Sequence, residues 1–252
     1  MFSAQEEKNI KEFPDCIPNP IFTEDLIFLY PKDFIGKPEE TLELLQRTFD
    51  LLKKLTDLNP TGKIPSETNP SRITIGFHKK CTQLAWTGRG GNCIYIPWKR
   101  INDKDEPQAG CTHELVHPFY RISELQEGEN EVWGEPFCDF LRGPLKNNIG
   151  LDGIGWWKEK IKEAENKEDD NRAGTGAGLL ILEAKEICRG NDFDSYRFVE
   201  EFIDDYSNLR DFIQRLRKEY SLTPLHSKGR FFLNKTMKDK LVKIMRKKGR
   251  QI

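Results

Sequence analysis

His113, Glu114, Leu115, Val116 and His117 spell an HExxH pattern inside a stretch that reads as helix from Pro107 through Leu115. Residues four apart on a helix share a face and sit about one turn, roughly 5.4 Å, from each other, so both imidazoles can offer a nitrogen to one cation. A pair of imidazoles at this spacing suits Zn²⁺. Glu114, one residue beyond the first His, is placed to take a proton from water without serving as a ligand. The chain has four His in all, and two of them fall in these five residues.

A catalytic zinc wants a third protein ligand. In an HExxHxxGxxH pattern that ligand is a His six residues after the second, and Ser123 stands there, so the metzincin arrangement is excluded. The third ligand is expected farther on. After seventeen intervening residues comes Glu135, followed on the same helical face by Asp139, which can hydrogen-bond a ligating imidazole and fix its tautomer. Glu131 competes with Glu135 for the ligand position. Pro118 directly follows the second His and lacks an N–H, so the helix must kink or end there. Pro136 suits a first helical position, with Glu135 as the cap of a helix over residues 136–142.

HELVH followed at this distance by a Glu-x-x-x-Asp segment resembles the gluzincin zinc metallopeptidases, the thermolysin-like and aminopeptidase-like enzymes. Residues 135–142, EPFCDFLR, are similar to the EGxADYVR-type segment of plant basic secretory proteins and their relatives. The resemblance covers residues 72–142 and implies a zincin-like fold and hydrolysis of peptide bonds in a peptide or protein substrate. It implies His113, His117 and Glu135 as zinc ligands, Glu114 as general base, and Asp139 as the carboxylate behind an imidazole. It also implies that the strand over residues 93–98 is a substrate-binding edge strand, and that a Tyr or His steadies the oxyanion. Tyr196, Tyr206, Tyr220 and His226 are the candidates for that donor. The opposing expectation is a zincin-fold binding protein without turnover, whose marks are a distorted helix at Pro118 or an occluded strand 93–98.

The elements that must hold these residues are legible in outline. Leu42, Leu45, Phe49, Leu52 and Leu55 recur at helical spacing behind Pro38, predicting a helix over 38–59. Residues 59–71 carry Pro and Gly and read as a loop. Ile73, Ile75 and Phe77 alternate with Thr74, Gly76 and His78 as a half-buried strand. Strands over 83–87 and 93–98 flank Gly88, Arg89, Gly90 and Gly91, which favours a hairpin or an irregular loop over continuous strand. Helices are expected over 176–188, 193–205 and 209–220. With strands before residue 100 and helices after it, the expected class is α+β: a small mixed or antiparallel sheet with the active-site helix, then a helical lobe, rather than alternating βαβ units. The divisions are a sheet lobe over 1–142, a helical lobe over 143–226 and a basic tail over 227–252.

At 252 residues with 37% apolar and 32% charged composition, the chain can bury a core beneath a highly charged surface. No apolar run approaches the roughly 20 residues of a membrane span. The net charge of -1 is uneven: the tail holds ten Lys or Arg against Asp239 alone, giving it +9 and leaving -10 elsewhere. Leu233, Met237 and Leu241 give the tail an amphipathic helical stripe. It reads first as a solvated helix, and then as a contact for nucleic acid or an anionic membrane surface. The polar first ten residues give a cytoplasmic expectation, or a secreted one if a signal has been removed. The six Cys form no CxxC knuckle. Cys81 and Cys93 could be bridged across the hairpin, while Cys111 and Cys138 read as small core residues. His78 reads as a structural His, Trp156 and Trp157 as packing or a cleft wall, and Gly88–Gly91 lacks the spacing of a phosphate loop.

Overall fold

Two apolar runs too short to form helices, Leu26–Leu29 and Ile73–His78, pair in parallel at the centre of a five-stranded sheet. They are seen in a computed structural model of the chain, which describes residues 2–61, 72–81, 84–88, 92–103, 106–122, 134–166, 176–178, 180–181, 200, 202–203 and 205–220. The chain forms two units, Met1–Ile122 and Ser123–Ile252. The mixed sheet and the seven α-helices found among the described residues make the class α+β.

In the first unit, β1 (Ile21–Phe22), β2 (Leu26–Leu29), β3 (Ile73–His78), β4 (Trp86–Thr87) and β5 (Cys93–Pro97) lie in the order β1-β2-β3-β5-β4. The inner pairs β2–β3 and β3–β5 are parallel, and the outer pairs β1–β2 and β4–β5 antiparallel. The expected hairpin is present, with Trp86 opposite Tyr95, Thr87 opposite Ile94, and the Gly88 N–H donating to the Cys93 carbonyl at 2.8 Å. One feature differs from the segregated pattern expected: β2, helix α2 and β3 make a single βαβ unit. The four-residue β2 is too short and uniformly apolar to show a period.

Helix α2 (Pro38–Thr56) starts at the expected proline and ends three residues earlier than expected. Asp57 takes the left-handed conformation (φ 55°) and caps the helix by donating its N–H to the Lys53 carbonyl at 3.0 Å. Leu45, Phe49, Leu52 and Leu55 of α2 are fully buried. Phe28, Ile75, Phe77, Ile94 and Ile96 share the opposite side-chain phase from Ile27, Leu29, Thr74, Gly76, Cys93 and Tyr95, because successive strand residues alternate in direction.

The second phase is covered too, which corrects the half-buried reading of residues 73–78. Phe13 packs with Ile27, Leu29 and Cys93, and Thr74 is completely buried. Gly76 is required there, since a Cβ would stand 2.7 Å from the Phe13 ring. Phe13 is delivered by α1 (Ala4–Lys11), which the polarity of the first ten residues conceals. Its signal is the capping box of Ser3 and Glu6: the Glu6 N–H donates to Ser3 Oγ at 3.2 Å, and the Ser3 N–H to Glu6 Oε2 at 2.7 Å. The same carboxylate receives Arg72 Nε at 2.8 Å, and the Arg72 guanidinium lies 4.7 Å from the Phe22 ring centroid and 5.1 Å from that of Phe2.

In the second unit, α5 (Gly134–Asn148) packs on α6 (Gly153–Asn166), and α7 (Tyr206–Tyr220) adds Phe212 to their core. Pro144 sits inside α5 and cannot donate to the Phe140 carbonyl. The indole N–H of fully buried Trp157 donates to that carbonyl at 2.6 Å, and Trp156 Nε1 donates to the Asp139 carbonyl at 2.9 Å. Gly143 makes this approach possible, because a Cβ there would overlap the Trp157 indole. The Trp pair therefore braces a helix that runs on through an internal proline. The half-buried Trp156 ring also carries Lys160 Nζ at 4.3 Å and the Arg142 guanidinium at 4.4 Å. The expected helix 193–205 falls largely outside the described residues, and the tail 227–252 wholly so.

Two stability tests follow from these contacts. Burial alone would raise the Glu6 carboxyl, but hydrogen bonds from Arg72 and Ser3, with the charge of Arg72, bring it down from 4.5 to about 2. The stabilisation is thus present above pH 4.5 and fades as pH falls toward 2; Glu6→Gln is expected to remove about 2 kcal/mol at pH 7 and to flatten that acid limb in urea unfolding. Trp157→Phe leaves the Phe140 carbonyl without its indole donor and is expected to cost about 2–4 kcal/mol by the same measurement.

Candidate metal and acid–base site

The HExxH segment is not one continuous helix. Helix α3 runs Glu106–Glu114, Leu115 forms a turn, and α4 runs Val116–Ile122. The Leu115 N–H still donates to the Cys111 carbonyl at 2.9 Å. Three steps further along that ladder, the donor to the Glu114 carbonyl would be residue 118. Pro118 has no N–H, and its ring crowds the carbonyl four residues back. The interruption expected at Pro118 lies instead at Leu115, three residues earlier, and Pro118 sits in the first turn of α4.

The break leaves the two imidazoles together. Their ring centroids are 5.2 Å apart with planes at 67°, close to one helical turn. Both rings are half-buried, and Glu114 between them is buried with its Oε2 3.9 Å from His117 Nε2. Phe119 anchors α4 by packing on Phe49 of α2, centroids 5.0 Å apart.

Thr87 reaches the site from the hairpin. Its hydroxyl is 2.8 Å from Glu114 Oε2 and 3.0 Å from the Glu114 carbonyl oxygen. Sheet register explains why: Thr87 pairs with Ile94, whereas Trp86 pairs with Tyr95 and points the opposite way. Sequence reasoning missed Thr87, because nothing in residues 83–87 marks it. The hint is Pro118, which has no N–H to offer the Glu114 carbonyl.

The edge-strand expectation needs correction. Residues 93–97 pair with β3, and Ile94 and Tyr95 pair with β4 as well, which is the strand at that end of the sheet among the described residues. The 93–98 strand is thus covered on its outer side at Ile94 and Tyr95. His78 falls in the same side-chain phase as Tyr95, opposite that of Thr87. It packs edge-on against Phe13 and Tyr95, which supports its structural reading.

The α5 residues belong to the second unit. Glu135 is exposed in the first turn, inside the helix rather than at its cap, because α5 begins at Gly134. Cys138 and Asp139 are buried one turn on. Tyr206 is half-buried at the start of α7 and Tyr220 is its last residue. Glu131, Tyr196 and His226 lie outside the described residues.

Cys81 and Cys93 are not bridged; both are free thiols. The Cys81 thiol donates to the Leu84 carbonyl at 3.0 Å. Burial, reinforced by the charge of Glu114, raises Cys81 to about 11, and burial raises Cys93 to about 12. No protein-family model matches the chain, and none of the curated proteins matches it.

These thiols should be inert. Iodoacetamide labelling at pH 8 read by mass spectrometry is expected to leave Cys81 and Cys93 unmodified in the folded protein and to modify both after denaturation.

Proposed function

We propose that the chain is a zinc-dependent peptidase of gluzincin type in which His113 and His117 ligate the metal and Glu114 is the general base. The observation that carries the reading is a buried carboxylate 3.9 Å from one of two half-buried imidazoles that lie about one turn apart. These donors fit zinc: two imidazoles converge at helical spacing, and the carboxylate beside them is held by a hydroxyl. When bound, Zn²⁺ supplies a Lewis acid that increases the acidity of water and polarises a carbonyl. In the proposed reaction Glu114 accepts a proton from the attacking water and delivers it to the amine released as the peptide C–N bond breaks. The third ligand in this reading is Glu135, as the resemblance to the gluzincins implies. Asp139 orients an imidazole in this reading.

Two observations favour a second reading, a zinc-binding protein of the same fold without turnover. The motif helix is interrupted at Leu115, and the strand expected to receive substrate is internal. Nucleic-acid or membrane-surface binding through the basic tail rests on its sequence alone, as does a cytoplasmic location. No described helix is long and apolar enough to cross a membrane.

Metal analysis separates the readings. The wild-type protein is expected to hold about one zinc per chain, and Glu114→Gln to keep the metal while losing at least about 10²-fold in peptide hydrolysis. His113→Ala and His117→Ala should lose the metal. Glu135→Gln tests the third ligand and should weaken zinc binding. Stoichiometric zinc without hydrolysis in the wild type selects the binding protein, and absence of zinc defeats both readings.

A further inference from the structure

Thr87 has one hydroxyl proton and two acceptors, the Glu114 carboxylate at 2.8 Å and the Glu114 carbonyl at 3.0 Å. Both acceptors belong to the same residue. The contact therefore fixes the side chain of Glu114 relative to its own backbone, and fixes both relative to the hairpin. Pro118 has no N–H to donate to that carbonyl. The carboxylate contact is the shorter, as expected where the acceptor is charged. Thr87 is β-branched and sits in a strand, so its χ1 has little freedom and its hydroxyl points where the sheet directs it. Hydrogen bonding between the Gly88 N–H and the Cys93 carbonyl holds the hairpin from the next residue.

We propose that Thr87 is a positioning residue: its hydroxyl holds the Glu114 carboxylate in one orientation beside His117 and fastens it to β4, the last strand of the sheet. The proposal rests on Glu114 being the general base for its catalytic consequence, and on the two hydrogen bonds alone for its structural one. A general base works only within hydrogen-bond reach, and a displacement near 1 Å can cost on the order of 10²-fold in rate. A peptide pairing along β4 is then set against the base by the strand that also holds the base.

Three forms of the full chain test it: wild type, Thr87→Val, which keeps shape and branching without the hydroxyl, and Thr87→Ser, which keeps the hydroxyl. Crystal structures of the metal-free proteins are expected to show the Glu114 carboxylate leaving its place beside His117 in Thr87→Val and staying in Thr87→Ser. With zinc bound, Thr87→Val is expected to lower kcat on a peptide by about 10- to 100-fold with KM within about two-fold, and Thr87→Ser to recover most of it. Thr87→Ala replaces the Val variant if the latter does not fold. An unmoved carboxylate with unchanged kcat overturns the proposal, as does an equal loss in the Val and Ser variants, which would assign the effect to packing. A wild-type protein that hydrolyses no peptide removes Glu114 as general base, while the crystallographic comparison still decides whether Thr87 positions its carboxylate.

Discussion

A carbonyl deprived of its helical donor by a proline four residues later must find another, because a buried unpaired carbonyl costs about 1–3 kcal/mol. Each unit meets this constraint once in its central helices. Pro118 deprives the Glu114 carbonyl, and the Thr87 hydroxyl supplies the hydrogen bond. Pro144 deprives the Phe140 carbonyl, and the Trp157 indole supplies it. In both cases the donor comes from a distant part of the chain, so the helix is locked to a neighbouring element. In the first unit that lock involves the residue proposed to do chemistry.

The sheet makes the lock possible. Parallel pairing of β2, β3 and β5 sets the phase of every strand, and β4 inherits it through the Trp86–Tyr95 and Thr87–Ile94 pairs. A slip of one residue would exchange Trp86 and Thr87 and remove the hydroxyl from Glu114. Register is defended from the other phase by Gly76 beneath Phe13, by the stacking of Phe13 and Trp86 on Tyr95, and by the Glu6–Arg72 pair that holds α1 in place. Structural contacts far from Glu114 thus bear on where its carboxylate points.

The sequence made legible whatever depends on local period and spacing. The leucine-rich α2, the strand 73–78, the Gly-linked hairpin and the Pro-led α5 all follow from residues within one turn or one pleat of each other. His113, Glu114 and His117 announce themselves by spacing for the same reason. What stayed hidden depends on pairing between distant residues. Leu26–Leu29 is a strand because β3 lies beside it, residues 93–97 are internal because β4 covers them, and residues 73–78 are buried on both faces because Phe13 arrives from α1. Thr87 is the clearest case: an ordinary strand residue in sequence, it acquires its role only through the register of the hairpin and a proline 31 positions away.

X-ray absorption at the zinc edge of the purified protein tests the central claim most directly. The predicted spectrum has two imidazole nitrogens at about 2.0–2.1 Å and a further oxygen at about 2.0–2.2 Å, the one expected from Glu135. A protein that takes up no zinc, or a spectrum without imidazole scattering, would contradict the assignment of His113 and His117 and the chemistry built on them.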